Sequence, residues 1–140
     1  YFRLCKAHTA SRTVRLCFIA SPKIPPVCPT LIGGKVKSST DASIGGIALN
    51  QIGQLNFDKA FLGMNGIDDE FYSTPDLEEG SVKRAIIENA KKTYILADDS
   101  KIGVTSFVKV APIKRAMIIT NQCEPQRLKV LKEKTEVIEV

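Results

Sequence analysis

Leu96-Ala-Asp-Asp-Ser-Lys-Ile-Gly103 is the stretch on which the reading of this chain turns. It closes an apolar, β-branched run, Thr93-Tyr-Ile-Leu-Ala-Asp98, which predicts a strand that stops in a polar turn. Upstream, Phe57-Asp-Lys-Ala-Phe-Leu-Gly63 predicts another strand, stopped by glycine. Between the two lies a helical pattern from about Leu77 to Lys92, with Thr74 and Pro75 at its start and Val82, Ala85, Ile86, Asn89 and Ala90 facing inward. Downstream come a strand at Ala116–Thr120, a helix from Pro125 to Glu133 with Leu128 and Leu131 inward, and a last strand at Val137–Val140. Apolar strands alternating with helices predict an α/β fold of three layers, a largely parallel sheet with helices on both faces.

The flanks are less regular. Ser106–Val110 predicts a shorter strand, and residues 64–77 read as a fourteen-residue loop, long enough to suggest a binding loop. Ser43–Leu55 predicts a helix with Ile44, Ile47, Ala48, Ile52 and Leu55 at helical spacing and Asp41 or Ser43 as its cap. Thr30–Gly34 reads as a short strand ending in a glycine turn, and Val14–Ala20 as a strand cut off by Pro22, Pro25, Pro26 and Pro29.

In a parallel sheet, ligands bind beyond the carboxyl ends of the strands. Here those ends are Gly33-Gly34, Gly63-Met-Asn-Gly66, Asp98-Asp-Ser-Lys101 and Thr120-Asn121. Gly63 and Gly66 allow close backbone approach to a ligand, and Asn65 offers an amide donor and acceptor. Gly45-Gly46 at a helix start expose N–H groups suited to a phosphate, or simply permit close packing. Lys101 is the sharpest candidate, a cation for a phosphate or carboxylate, against the ordinary alternative of a solvated lysine.

Composition narrows the class. The 140 residues are 44% apolar and 25% charged, a globular balance, and no apolar run is long enough to span a membrane. The net charge of +5 is uneven: residues 1–40 carry seven Lys/Arg and no Asp/Glu, while residues 41–140 carry thirteen against fifteen. That basic segment could bind nucleic acid without sequence preference, although a solvated tail is the simpler account. Cys5, Cys17, Cys28 and Cys123 form neither a CxxC pair nor a zinc pattern. Without a secretory leader they predict reduced thiols in a cytosolic protein. His8 is the sole histidine and there is no tryptophan, which disfavours triad catalysis and an aromatic stacking platform. No dinucleotide, phosphate-loop, zinc-protease or nucleophile-elbow motif occurs, and neither a metal nor a cofactor is expected.

Taken together, Phe57–Asp68, Ser73–Glu79, Val82–Ala85, Leu96–Gly103, Val108–Pro112 and Ile118–Thr120 resemble the C-terminal sensor domain of DeoR-family bacterial transcription regulators. The likeness covers residues 31–140 and sets residues 1–30 apart as an unassigned basic segment. It implies the fold shared with ribose-5-phosphate isomerase. It also implies the effector-binding part of a cytoplasmic repressor of sugar uptake or catabolism, not an enzyme. Such a protein would sense a phosphorylated sugar, form a homo-oligomer, and bind operator DNA through an N-terminal winged helix-turn-helix that is not in this chain. Carried over residue by residue, Gly63, Asn65 and Gly66 form the effector loop, Thr74 and Glu78 border the pocket, and Lys101 holds the anionic group.

The sequence departs from the family in three places. The family's first sensor segment, with its Gly-Thr-Thr phosphate loop, is missing. Phe71-Tyr72 stand where the family usually has a glycine, and Gly80 where it usually has alanine. A sugar-phosphate isomerase is the alternative. However, the acidic loop of those enzymes is replaced by Gly63-Met-Asn-Gly66, their Lys-Gly-Gly run is missing, and only Asp68, Asp69 and Glu78 remain as bases.

Overall fold

The computed structural model describes residues 30–140 in full and, for the preceding segment, only the backbone pairing of β1 (Arg3–Thr9) with β2 (Arg12–Phe18), which is antiparallel. The expected strand at Val14–Ala20 overlaps β2. The proline-rich stretch after it, and the side chains of His8, Cys5, Cys17 and Cys28, lie outside the described residues.

The body is an α/β fold whose centre is a four-stranded parallel sheet flanked by helices. Its strands are β5 (Phe57–Gly63), β8 (Ala90–Leu96), β10 (Met117–Thr120) and β11 (Val137–Glu139), arranged in that spatial order. Two helices cross between neighbours: α2 (Leu77–Glu88) joins β5 to β8, and α3 (Pro125–Lys134) joins β10 to β11. Strand alternation selects the buried face. Ala60, Thr93, Ile95, Ile118 and Thr120 are buried, while their neighbours along each strand are not. Ile87 of α2 and Leu128 and Leu131 of α3 share one apolar cluster with Ile95 and Ile118, so both helices cover the same face of the sheet.

Against this cluster packs a second, three-stranded antiparallel sheet of β6 (Gly66–Ile67), β7 (Phe71–Thr74) and β9 (Val108–Pro112). Its first two strands fall within the stretch expected as a loop at residues 64–77. Two- and four-residue strands separated by Asp68-Asp69-Glu70 are too short to show an apolar period. Tyr72 is what makes β7 internal. Its ring is fully buried, and its hydroxyl donates to the carbonyl oxygens of Ile113 at 3.0 Å and Ala116 at 2.8 Å. Burial pushes that phenol's pKa well above its ordinary value. At the outer side of this sheet, the Arg84 guanidinium of α2 donates to the carbonyl oxygens of Lys109 and Val110 on β9, at 2.6 and 3.1 Å.

Helices were expected on both faces of the parallel sheet, whereas among the described residues α2 and α3 cover one face and α1 packs on α2 and β4; the remaining differences concern element ends. Thr30–Gly34 is irregular, since no neighbouring strand among the described residues pairs with it. The extended structure comes just after it, as the hairpin β3 (Lys35–Lys37) and β4 (Ala42–Ile44), with Asp41 at φ 55 in the turn. Helix α1 (Gly46–Gly53) starts later than expected and has no side-chain cap. The Ser43 hydroxyl instead donates to the Ile32 carbonyl, and Gly45, at φ 86, makes the entry turn that a side chain would strain. α2 ends at Glu88, so Ala90 belongs to β8 rather than to a helix face. The most buried positions of α2 are Glu79, Gly80 and Ile87. Val82, Ala85 and Ile86 are only half-buried, because α2 also packs against α1 and its load is spread over two flanks.

Replacing Tyr72 with phenylalanine keeps the ring and removes its hydroxyl's bonds to two carbonyls that retain the Ala116 N–H and the Thr135 hydroxyl as donors. A loss of about 1 kcal/mol in unfolding free energy is expected, read from the urea midpoint.

Candidate functional site

The carboxyl ends of β5, β8 and β10 converge as their parallel pairing requires. Between them lies an open cleft of about 420 Å³ whose lining includes Met64, Leu96, Asp98, Lys101, Thr120 and Asn121. Lys101 ends the single 3₁₀ turn Asp99–Lys101 that follows β8. Two contacts set this turn. The Asp98 carboxylate accepts from the Ser100 N–H at 2.9 Å and from the Ser100 hydroxyl, and these bonds hold its pKa below the usual carboxylate range. From β10, Asn121 accepts from the Asp99 N–H at 2.8 Å and donates to the Asp99 carboxylate at 2.9 Å. The turn is thereby locked, and the half-buried Lys101 is presented to the cleft. Among the described residues its ammonium makes neither an ion pair nor a side-chain hydrogen bond.

On the other side of Met64, the loop Gly63–Gly66 leads into a second group of polar side chains. Asn65 accepts at its side-chain oxygen from the Thr74 hydroxyl at 2.9 Å. Thr74 is fully buried and in turn accepts from Lys83 at 3.4 Å. Lys83 lies 4.0 Å from the Glu79 carboxylate. Glu79, itself buried, also meets Lys37 at 3.0 Å and accepts from the Thr40 hydroxyl at 2.8 Å. Asp76 caps α2 by accepting from the Glu79 N–H at 2.9 Å, and its second oxygen takes Lys37 at 2.9 Å. One network thus ties the β3–β4 hairpin to the start of α2 and reaches the Asn65 side chain.

Charge is balanced inside it. Burial alone would raise the Glu79 pKa, but Lys37, Thr40 and Lys83 together outweigh it and hold the carboxyl below its usual range. Lys83 is shifted down by burial, against the pull of Glu79 and Asp76.

The sequence-predicted residues therefore fall into two neighbouring groups. Lys101 lines the cleft. Gly63, Asn65 and Gly66 form the adjoining loop, with Gly63 and Asn65 exposed and Gly66 buried. A methyl on Gly66 would lie 2.5 Å from the Val104 carbonyl oxygen and 2.6 Å from the Ser73 hydroxyl, so this position admits only glycine. Thr74 sits beneath Asn65 and positions it. Glu78 is half-exposed and pairs with Lys35 at 3.5 Å. A methyl on Gly45 would stand 3.9 Å from the Glu78 carboxylate, so the Gly45-Gly46 helix start adjoins this group and faces an acid. Sequence reading missed Lys37, Thr40, Glu79 and Lys83, whereas Asn121 was already among the strand ends at the cleft. Glu79 and Lys83 sit four residues apart on one helix face, a detectable spacing, whereas Lys37 and Thr40 arrive only through the tertiary fold. Among the described residues no group of three or more His, Cys, Asp or Glu is placed to hold a metal, and Cys123 is a free, partly buried thiol.

A cleft of mixed apolar and polar lining at the carboxyl edge of a parallel sheet lies where α/β folds of this architecture take their ligands. Residues 23–122 match the family model described as the DeoR C-terminal sensor domain, a match that begins inside the basic segment. The chain belongs to that family, which comprises sensor domains of transcription regulators rather than enzymes. It is 45% identical over 108 residues to the HTH-type transcriptional regulator FruR of Bacillus subtilis (strain 168), covering 76% of this chain and 43% of that protein. It is 33% identical over 97 residues to the HTH-type transcriptional repressor GlcR of the same organism, covering 69% and 38%. To the lactose phosphotransferase system repressor of Staphylococcus epidermidis (strain ATCC 35984) it is 27% identical over 109 residues, covering 77% and 43%. The chain thus spans about two fifths of the length of these relatives. No helix among the described residues is long and apolar enough to cross a membrane.

Glu79 makes the network pH-sensitive with a definite sign. Its folded pKa lies below the unfolded value of about 4.3, so the stability it contributes is complete above that pH and is lost as pH falls through the folded pKa. In urea titrations Glu79→Gln is expected to be less stable than the wild type at pH 7, with the gap closing toward pH 3. A gap that does not change with pH would contradict the assignment.

Proposed function

We propose that residues 31–140 are the effector-binding domain of a DNA-binding repressor of sugar uptake or catabolism, and that the effector is a phosphorylated sugar seated in the carboxyl-edge cleft. The family match carries the domain back to residue 23, so of the basic segment only residues 1–22 stand apart from it. The observation that carries the reading is Lys101. A half-buried ammonium, fixed by Asp98, Ser100 and Asn121 around its turn and without an anionic partner among the described residues, is prepared for an anion supplied from outside. The Gly63–Gly66 loop supplies polar backbone and the Asn65 amide for hydroxyl groups, and Glu78 and the Gly45-Gly46 helix start, which adjoin one another, are the remaining candidates for contact with it. Family membership supports the regulatory role, and the relative named as a lactose phosphotransferase system repressor supports a sugar. In the whole protein, a winged helix-turn-helix outside this chain contacts the operator, the sensor domains assemble a homo-oligomer, and the protein acts in the cytoplasm. The isomerase reading is not retained, since the family is one of regulators and Glu78 is engaged by Lys35.

A thermal-shift panel of pentose and hexose phosphates, with the unphosphorylated sugars and inorganic phosphate as controls, tests this directly. At least one sugar phosphate is expected to raise the melting temperature where its parent sugar does not. Lys101→Ala is expected to weaken that ligand roughly tenfold or more, about 1.4 kcal/mol, while the far-ultraviolet spectrum is kept. A panel without any stabilising member, or equal affinity in the variant, would overturn the proposal.

A further inference from the structure

The hydrogen bonds that anchor Asn65 run in one direction. Its backbone N–H donates to the Ser73 carbonyl at 3.2 Å, which holds it against β7. Its side-chain oxygen lies 2.9 Å from the Thr74 hydroxyl, and that hydroxyl lies 3.4 Å from the Lys83 ammonium. A lysine ammonium has three donors and no acceptor, so Lys83 donates and the Thr74 oxygen accepts. The single hydroxyl proton of Thr74 then goes to Asn65. The amide oxygen of Asn65 is thereby turned inward and its NH₂ group outward, although the two ends of an amide have nearly the same shape.

The packing of α2 makes this relay reachable. Gly80 lets the helix lie close on β7 and β9: a methyl there would stand 2.8 Å from the Val108 side chain and 3.3 Å from that of Thr74. Lys83 follows one turn later, with only 18% of its side chain exposed, and Thr74 is fully buried. The Glu79 carboxylate, 4.0 Å from Lys83, offsets part of the cost of burying the ammonium. Asn65 follows Met64, which lines the carboxyl-edge cleft, whereas Lys83 does not line it.

We propose that Lys83 is a positioning residue of the effector site: acting through Thr74, it fixes the Asn65 amide as a hydrogen-bond donor toward the ligand, whose matching group is a hydroxyl, carbonyl or phosphate oxygen. The ligand half of this inference rests on the sugar-phosphate reading of the cleft. The direction of the relay stands without it.

Two measurements separate these halves. In the ligand-free 140-residue chain, Asn65→Asp puts a titratable carboxyl at the end of the relay, followed by carbon-13 NMR. Accepting the Thr74 proton, that carboxyl is expected to titrate roughly one unit or more below the ordinary aspartate value of about 3.9. Lys83→Met should undo most of this shift, and should do little once Thr74→Val has removed the hydroxyl. A value at or above the ordinary one, or a Lys83→Met effect undiminished beside Thr74→Val, would overturn the relay. Asn65 is exposed, so the sign of its shift decides alone if Lys83→Met folds poorly. The second measurement uses the pentose or hexose phosphate that most stabilises the chain. Lys83→Met is expected to weaken it about tenfold, Lys83→Arg to retain it, and Lys83→Met to cost nothing further in an Asn65→Ala background. A loss that persists without the Asn65 amide would overturn the positioning role. A panel without any stabilising member would strike the sugar-phosphate reading and leave the titration to decide the relay.

Discussion

Parallel pairing is the constraint from which the rest of this molecule follows. Once Phe57–Gly63, Ala90–Leu96 and Met117–Thr120 run side by side in one direction, each connection must return across the sheet. All three strands then end at one edge. Residues far apart in sequence meet there without any of them being selected for mutual contact. Asn121 can lock the turn that carries Lys101 only because β8 and β10 stop level with one another. The same constraint separates two kinds of polar group. Those at the strand ends face a cleft, while those at the start of α2 are enclosed by the β3–β4 hairpin and pair among themselves.

Enclosure has an energetic logic. Glu79 and Lys83 lie where an unpaired charge would be costly, and each is tolerated because the other, with Lys37 and Thr40, satisfies it. Breaking one contact exposes the others to that cost, so the hairpin, the α2 start and the Asn65 side chain behave as one unit. Lys101, by contrast, bears no such obligation to the fold.

Sequence legibility followed element length and autonomy. β5 was readable to the residue, and α3 and the C-terminal strands to within a residue or two, because their apolar spacing and bounding Gly or Pro are local signals. β6 and β7 were not, since short strands gain their identity from pairing with β9 some forty residues away. The cap of α1 was misread for a related reason: Ser43 is held in β4, two residues before the Gly45 cap position, and its hydroxyl donates to the Ile32 carbonyl instead of accepting from a helix N–H. At the site, strand-end reasoning and family likeness both pointed to Lys101 and the Gly63–Gly66 loop, and these do adjoin. The inward face of α2 was misassigned because hydrophobic periodicity does not anticipate a buried carboxylate. Glu79 scores as surface in any apolar pattern, and only the arrival of Lys37 and Thr40 makes its burial affordable.

Arg84 has an effect beyond local packing. β9 is the outermost strand of its small sheet, and an outer strand with bare acceptors is a template on which a second chain can extend the ladder. The guanidinium from α2 occupies two successive acceptors of β9, so a foreign strand would have to dislodge a charged fork before it could add. The helix that helps build the core of this domain thereby also takes two acceptors on that margin out of a foreign strand's reach.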